Sequence, residues 1–154
     1  ALFHGDAKQW PTDDSLNGGV DAIICNPPYF MHGERTQKTA QRALARHHDG
    51  LSHQALLAIY QRLLSTTGCA NMILPDAEAQ LLLAQLPHVG LHLQRQCLVS
   101  TTARKPVQRH LLTLGKQAVA NVESEHLLIH RDGGYSPEFR MLTDPFYLHL
   151  GTTS

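Results

Sequence analysis

No stretch of about 18 or more consecutive apolar residues occurs in the 154-residue sequence, and no charged-then-apolar leader, so neither a membrane span nor a signal peptide is expected. Cysteine is scarce: Cys25, Cys69 and Cys97 are odd in number, widely spaced and free of any Cys-x-x-Cys, which excludes a disulfide framework and points to reduced thiols in a cytoplasm. Also missing are a G-x-G pattern, a phosphate-binding loop, a Gly-x-Ser-x-Gly elbow and any internal repeat. The eleven histidines do not repair the lack of metal-ligand spacing. His88 and His92 are four apart, but Gly90 lies between them and no acid or cysteine stands at ligand distance, so no metal is expected. Net charge is absent too, with 13 basic against 13 acidic residues.

What is present is enough for one core. At 42% hydrophobic and 17% charged, the chain is long enough to bury roughly two-thirds of its unfolded surface, and residues 1–154 read as a single domain. Its organising stretch is Val20-Asp21-Ala22-Ile23-Ile24-Cys25, an apolar run of the kind that forms a buried strand, followed at once by Asn26-Pro27-Pro28-Tyr29. Consecutive prolines hold such a turn extended and have no N–H to satisfy. In open α/β sheets, ligands bind outside the carboxyl ends of the strands, which is where this turn falls.

That combination suits methyl transfer to a planar amino group. An exocyclic amine conjugated to a purine is a poor nucleophile, so its hydrogens must be held by acceptors while the nitrogen faces the methyl donor. The Asn26 side-chain oxygen and the Pro27 carbonyl are the acceptors this turn offers, and Tyr29 is placed to stack on the base. A plain Asn-Pro turn is the bland alternative.

Asn26-Pro27-Pro28-Tyr29 resembles the (N/D)PP(Y/F/W) signature of amino-group methyltransferases that use S-adenosylmethionine. The wider chain is similar to one branch, the tRNA adenine-N6 methyltransferases that modify the adenosine next to the anticodon of a valine tRNA. The matching stretches are Gly5-Asp6 with Trp10, Asn26 to Phe30, Leu51 to Leu57, Arg104 to Leu114 and Leu127 to Leu150. The resemblance implies a Rossmann-like α/β fold, here its C-terminal portion, a mixed sheet ending in an antiparallel hairpin. A complete enzyme of this kind has further strands and a glycine-rich cofactor turn upstream, at about 30 residues per βα unit. It implies catalytic Asn26, Pro27, Pro28 and Tyr29, and Asp6 with Asn26 at the cofactor, Asp6 accepting from the adenine amino group. Asp6 is equally readable as a loop-capping aspartate. The substrate on this reading is tRNA, with Phe30 in the pocket wall. DNA adenine, ribosomal RNA guanine-N2 and protein glutamine are the alternative acceptors within the superfamily, and a catalytically silent RNA-binding module is the alternative outside it.

Between these landmarks, Arg35, Lys38, Arg42 and Arg46 would share one helical face, readable as a solvated surface or as a tRNA contact. Ser52 is the expected N-cap of a helix with Leu56, Leu57, Tyr60, Leu63 and Leu64 on one side and Gly68 past its end. A short strand Ala70 to Leu74 follows, then a helix from Pro75-Asp76 with Leu81, Leu82 and Leu86 apolar. Leu91, Leu93, Cys97 and Val99 pair as a hairpin with Leu111, Leu112 and Leu114. Its connection, Ser100 to Pro106, carries Arg104 and Lys105 within a basic run from Arg95 to Lys116, suited to phosphate. Leu127 to His130 reads as a last strand and Gly133-Gly134 as a turn, after which Phe139, Leu142, Phe146 and Tyr147 are expected to pack on the body. Ala1 to His4 reads as a very short strand, but Val20 to Cys25 would normally be flanked by the first strand of such a fold, so it should present an open edge, relieved by a homodimer across it or by displacement of Ala1 to Gly5.

Overall fold

The computed structural model describes residues 4–6, 8–9, 16–27 and 52–146. Its first strand, β1 (Val20–Cys25), is the run expected from its sequence. The next element is α1 (His53–Leu63), which opens where Ser52 Oγ accepts the Ala55 N–H at 3.1 Å, relieving one of the donors a helix start leaves unpaired. Leu56, Leu57, Tyr60 and Leu63 recur on its buried side.

The helix does not run on to Gly68. Leu64 is already extended and opens β2 (Leu64–Pro75), a strand of 12 residues where the apolar pattern marked only Ala70 to Leu74. Gly68 instead lies within β2 because β1 crowds it: a Cβ there would meet the Val20 carbonyl oxygen at 2.5 Å. α2 (Asp76–Leu83) and the single turn α3 (Leu86–Val89) follow. In α2 the buried side is Glu78, Ala79 and Leu82, while Leu81 stays 47% exposed.

β3 (His92–Ser100) and β4 (Arg109–Gly115) form the expected antiparallel hairpin, Val99 opposite Arg109 and His92 opposite Gly115. A register shift between Leu93 and Arg95 reverses which side chains face inward. Leu93 packs on the core, whereas Cys97 turns to the other face and Val99 falls outside the main core cluster. β5 (Glu123–Leu128) runs parallel to β3, beginning four residues before the apolar run that announced it. The chain closes with β6 (His130–Arg131), β7 (Gly134–Tyr135) and α4 (Pro137–Thr143). Asp132 and Gly133 have φ of 52° and 84°, the backbone of a tight two-residue hairpin loop.

Strand order is β1-β2-β4-β3-β5, with β1 parallel to β2 and β4 antiparallel to both neighbours. The helices α1, α2 and α3 cover one face, burying Leu57, Leu64, Ala70, Leu74, Leu82 and Leu114 to 1% exposure or less. The other face carries Ile24, Ile73 and Leu111. Ile24 is 90% exposed, so β1 is not the buried strand its composition promised: among the described residues nothing covers that side. β1 also stands at an end of the sheet order, as the open-edge expectation required of the described residues. α4 buries none of its residues, and Leu142 and Phe146 are 59% and 84% exposed, contrary to the expected packing of the tail on the body. Tyr147 lies outside the described residues.

Candidate active site

Asn26 and Pro27 leave the carboxyl end of β1, the asparagine exposed and the proline buried. The strand delivers them there because Cys25 pairs with Met72 in parallel register. β2 continues to Pro75, opposite Arg109, which is opposite Val99, so the loop between β3 and β4 emerges on this same edge. Arg104 and Lys105 sit exposed at its tip, with a turn closed by the Lys105 N–H on the Thr102 carbonyl at 3.0 Å. That connection therefore lies, as expected of the hairpin, on the edge of the sheet where β1 ends. Pro28, Tyr29, Phe30, Arg35, Lys38, Arg42 and Arg46 lie outside the described residues.

Asp6 is exposed and shapes a turn, its Oδ1 accepting the Lys8 N–H at 2.9 Å and its carbonyl the Gln9 N–H at 3.0 Å. The loop-capping role is thus formed. The basic run from Arg95 to Lys116 is not one patch. Arg95 is claimed by Glu125 at 2.7 Å and Glu123 at 3.5 Å, acids that sequence distance had set apart but that β5 brings alongside β3. Lys116 donates to the Leu64 carbonyl at 2.6 Å. Arg104 and Lys105 remain as the exposed cations of this edge.

Beneath the turn, Tyr60 of α1 is 1% exposed, and its hydroxyl has no hydrogen-bond partner of good geometry. Burial, with the Cys25 thiol beside it, pushes that hydroxyl far above the ordinary tyrosine range, so it stays neutral and structural. Burial and the Glu125 charge likewise push the Cys97 thiol up, which leaves it a poor nucleophile.

Two carboxylate–imidazole pairs support the same edge, and neither was legible beforehand. His53 Nε2 lies 3.2 Å from Glu78 Oε2, linking the first turns of α1 and α2, and His110 Nε2 lies 2.7 Å from Asp76 Oδ1, linking β4 to α2. The available signal was Asp76 and Glu78 in a helix's first turn, where negative charge is favoured. Their histidine partners are 25 and 34 residues away (78 − 53 and 110 − 76), beyond any local pattern. From Asn26 a groove of about 500 Å³ runs over the open sheet face past Ile24, Asn71, Ile73, Leu111 and Thr113. Among the described residues no cluster of histidine, cysteine and acid suits a metal, and no helix is long and apolar enough to cross a membrane.

No family model matches. The chain is 41% identical over 150 residues to a protein of Vibrio campbellii named tRNA1(Val) (adenine(37)-N6)-methyltransferase. It is 45% identical over 149 residues to the protein of the same name from Vibrio vulnificus, and 41% over 146 residues to that of Photobacterium profundum. These alignments take in 94–97% of this chain but span about 60% of the length of the relatives. Among solved structures, an Agrobacterium tumefaciens protein described as a predicted O-methyltransferase superposes with a TM-score of 0.56 at 17% identity, covering 83% of this chain and 52% of that one. The cytosine-N4-specific PvuII DNA methyltransferase superposes at 0.50 and 9% identity, covering 84% and 57%. The fold is that of these methyltransferase structures, and over nearly all of its own length the chain is similar in sequence to proteins named tRNA1(Val) (adenine(37)-N6)-methyltransferase.

Proposed function

We propose that this chain supplies the acceptor side of an S-adenosylmethionine-dependent methyltransferase that modifies the N6 amino group of an adenosine next to the anticodon of a tRNA. The observation that carries the reading is the placement of Asn26 and Pro27 at the carboxyl end of β1, on the edge that also bears Arg104 and Lys105, in a homologue of proteins named for that reaction.

The donor set fits the cofactor in part. Asp6 and Asn26 are both exposed acceptors, Asp6 for an adenine amino group on this reading. When bound, S-adenosylmethionine supplies an electrophilic methyl group on a sulfonium. The chain's own task is to orient the nucleophile: the Asn26 side-chain oxygen and the Pro27 carbonyl accept the two amino hydrogens, which turns the nitrogen lone pair out of conjugation. On this reading Pro27 and Pro28 keep the turn rigid, Tyr29 stacks on a base turned out of its own stack, and Phe30 forms part of the pocket wall. Arg35, Lys38, Arg42, Arg104 and Lys105 neutralise tRNA phosphates. The proton leaves after the methyl arrives, so no dedicated base is required.

We place the protein in the cytoplasm, where tRNA is, and assign the edge of β1 from Val20 to Cys25 as the contact of a homodimer. The reaction is tested by incubating the protein with unmodified tRNA and a methyl-labelled donor, then digesting to nucleosides. Label in N6-methyladenosine is the expected result. Label confined to DNA, to guanosine or to protein contradicts the substrate assignment.

A further inference from the structure

β6, β7 and α4 together form an aromatic ladder that the packing of the molecule does not use. The His130 and Tyr135 rings stack with centroids 4.9 Å apart and planes 22° from parallel, and Tyr135 and Phe139 stack at 5.3 Å and 21°. In a core such rings would be covered. Here Tyr135, the middle rung, is 41% exposed, the end rungs His130 and Phe139 are half-buried, and α4 contributes no fully buried residue.

The ladder is nonetheless built firmly. Ser136 Oγ caps α4 by accepting the Phe139 N–H at 3.0 Å, and the Ser136 N–H is held by the Ile129 carbonyl at 2.9 Å. Its location is equally fixed: the Ile129 N–H donates to the Ser100 carbonyl at 3.0 Å and the His130 N–H to the Thr101 carbonyl at 2.8 Å. Thr101 opens the loop that carries Arg104 and Lys105. Rings and cations therefore share the sheet edge from which Asn26 projects.

We propose that an end of this ladder, held in place by its middle rung Tyr135, is a stacking platform for an unpaired nucleobase flanking the target adenosine, with Arg104 and Lys105 on the adjoining phosphates. The inference rests on the reading of the protein as a tRNA methyltransferase and adds a second subsite to it. Stacking platforms beside cationic loops bind single strands because every base has a π-face, and cations set the salt dependence. Glu138 is paired with Arg131 at 3.1 Å, and Asp132 occupies the hairpin turn, so a phosphate approaches from the Arg104 side. Neither Arg104 nor Lys105 makes a side-chain hydrogen bond or ion pair among the described residues.

The test measures affinity for a synthetic anticodon stem-loop RNA and for the same RNA with an abasic nucleotide at each loop position in turn. With the unaltered protein, one abasic position weakens binding by about tenfold, the scale of a single base–aromatic stack. Tyr135→Ala shows the same loss on intact RNA and no further loss on that abasic RNA, while Tyr135→Phe binds within about twofold. Replacing Arg104 or Lys105 by alanine lowers the slope of log affinity against log salt by about 0.7 each. Unchanged affinity in Tyr135→Ala, or equal further losses at every abasic position, overturns the platform. Methyl transfer to adenosine, followed on the same RNA, separates the readings: if it persists in Tyr135→Ala with affinity unchanged, only the platform fails. If methyl transfer is absent while the abasic pattern holds, only the reaction fails.

Discussion

At the scale of single residues, the site was legible where chemistry and local sequence coincide and hidden where it depends on distant partners. Asn26 and Pro27 announced themselves because two rigid residues follow an apolar run, and the backbone pairing of Cys25 with Met72 puts them where expected. The roles of Glu78, Asp76, His53 and His110 could not be read, because a carboxylate–imidazole contact is made by folding. Tyr60 was readable as structural from its helical spacing. Its buried hydroxyl, without a good partner, yields a prediction of sign as well as size. Leaving a polar atom buried and unpaired costs about 1 kcal/mol or more, so Tyr60→Phe holds or raises stability in chemical denaturation. A loss of about 2 kcal/mol in that variant would mean that the hydroxyl has a partner after all. The folded-state pKa of Tyr60 is raised, so above the ordinary tyrosine value of about 10 the unfolded chain releases a proton that the folded chain retains. Stability therefore falls as pH climbs beyond that value, by at most about 1.4 kcal/mol per pH unit from this group, and Tyr60→Phe removes that component.

At the scale of elements, strands and helices with a clean period were recovered: β1, α1, α2 and the β3–β4 hairpin. Errors fell where tertiary contact overrides composition. β2 begins at Leu64, which pairs with Val20 before residues 65–68 bulge out of the ladder and Cys69 meets Ala22, and β5 begins at Glu123 since its acids have Arg95 to meet. A register shift in β3 moved Cys97 off the core, a change invisible to any alternation rule. Gly68 is where these lessons become testable. A Cβ at that position would lie 2.5 Å from a backbone oxygen of β1, so Gly68→Ala must push the two strands apart. Overpacking of this kind costs on the order of 1–3 kcal/mol, read as a lowered denaturation midpoint at unchanged slope. A variant as stable as the parent would show that β1 is held loosely, and would weaken the claim that it aims Asn26.

At the scale of the whole molecule, a one-sided sheet with a free edge is the dominant feature of the described residues. Ile24, at 90% exposure, sits at both the edge strand and the open face. Pairing of two copies along β1 would be opposed by a lysine there, since charge on an edge strand discourages strand addition. Ile24→Lys is accordingly expected to shift sedimentation from dimer to monomer with little change in folding stability. A parent that is already monomeric at all concentrations removes the dimer. The zero net charge of the sequence was a poor guide at this scale, because pairing consumes Arg95 and Arg131 and leaves Arg104 and Lys105 displayed at the carboxyl edge. Asn26, the basic loop and the aromatic ladder therefore all lie along one rim of the sheet. The central claim, that Asn26 holds the amino group to be methylated, is tested most directly by measuring methyl transfer and tRNA affinity side by side in Asn26→Ala. The account predicts turnover reduced by about a hundredfold or more, the scale of losing one preorganised partner in a transition state, with affinity for tRNA within a few fold. Turnover equal to that of the parent would contradict it.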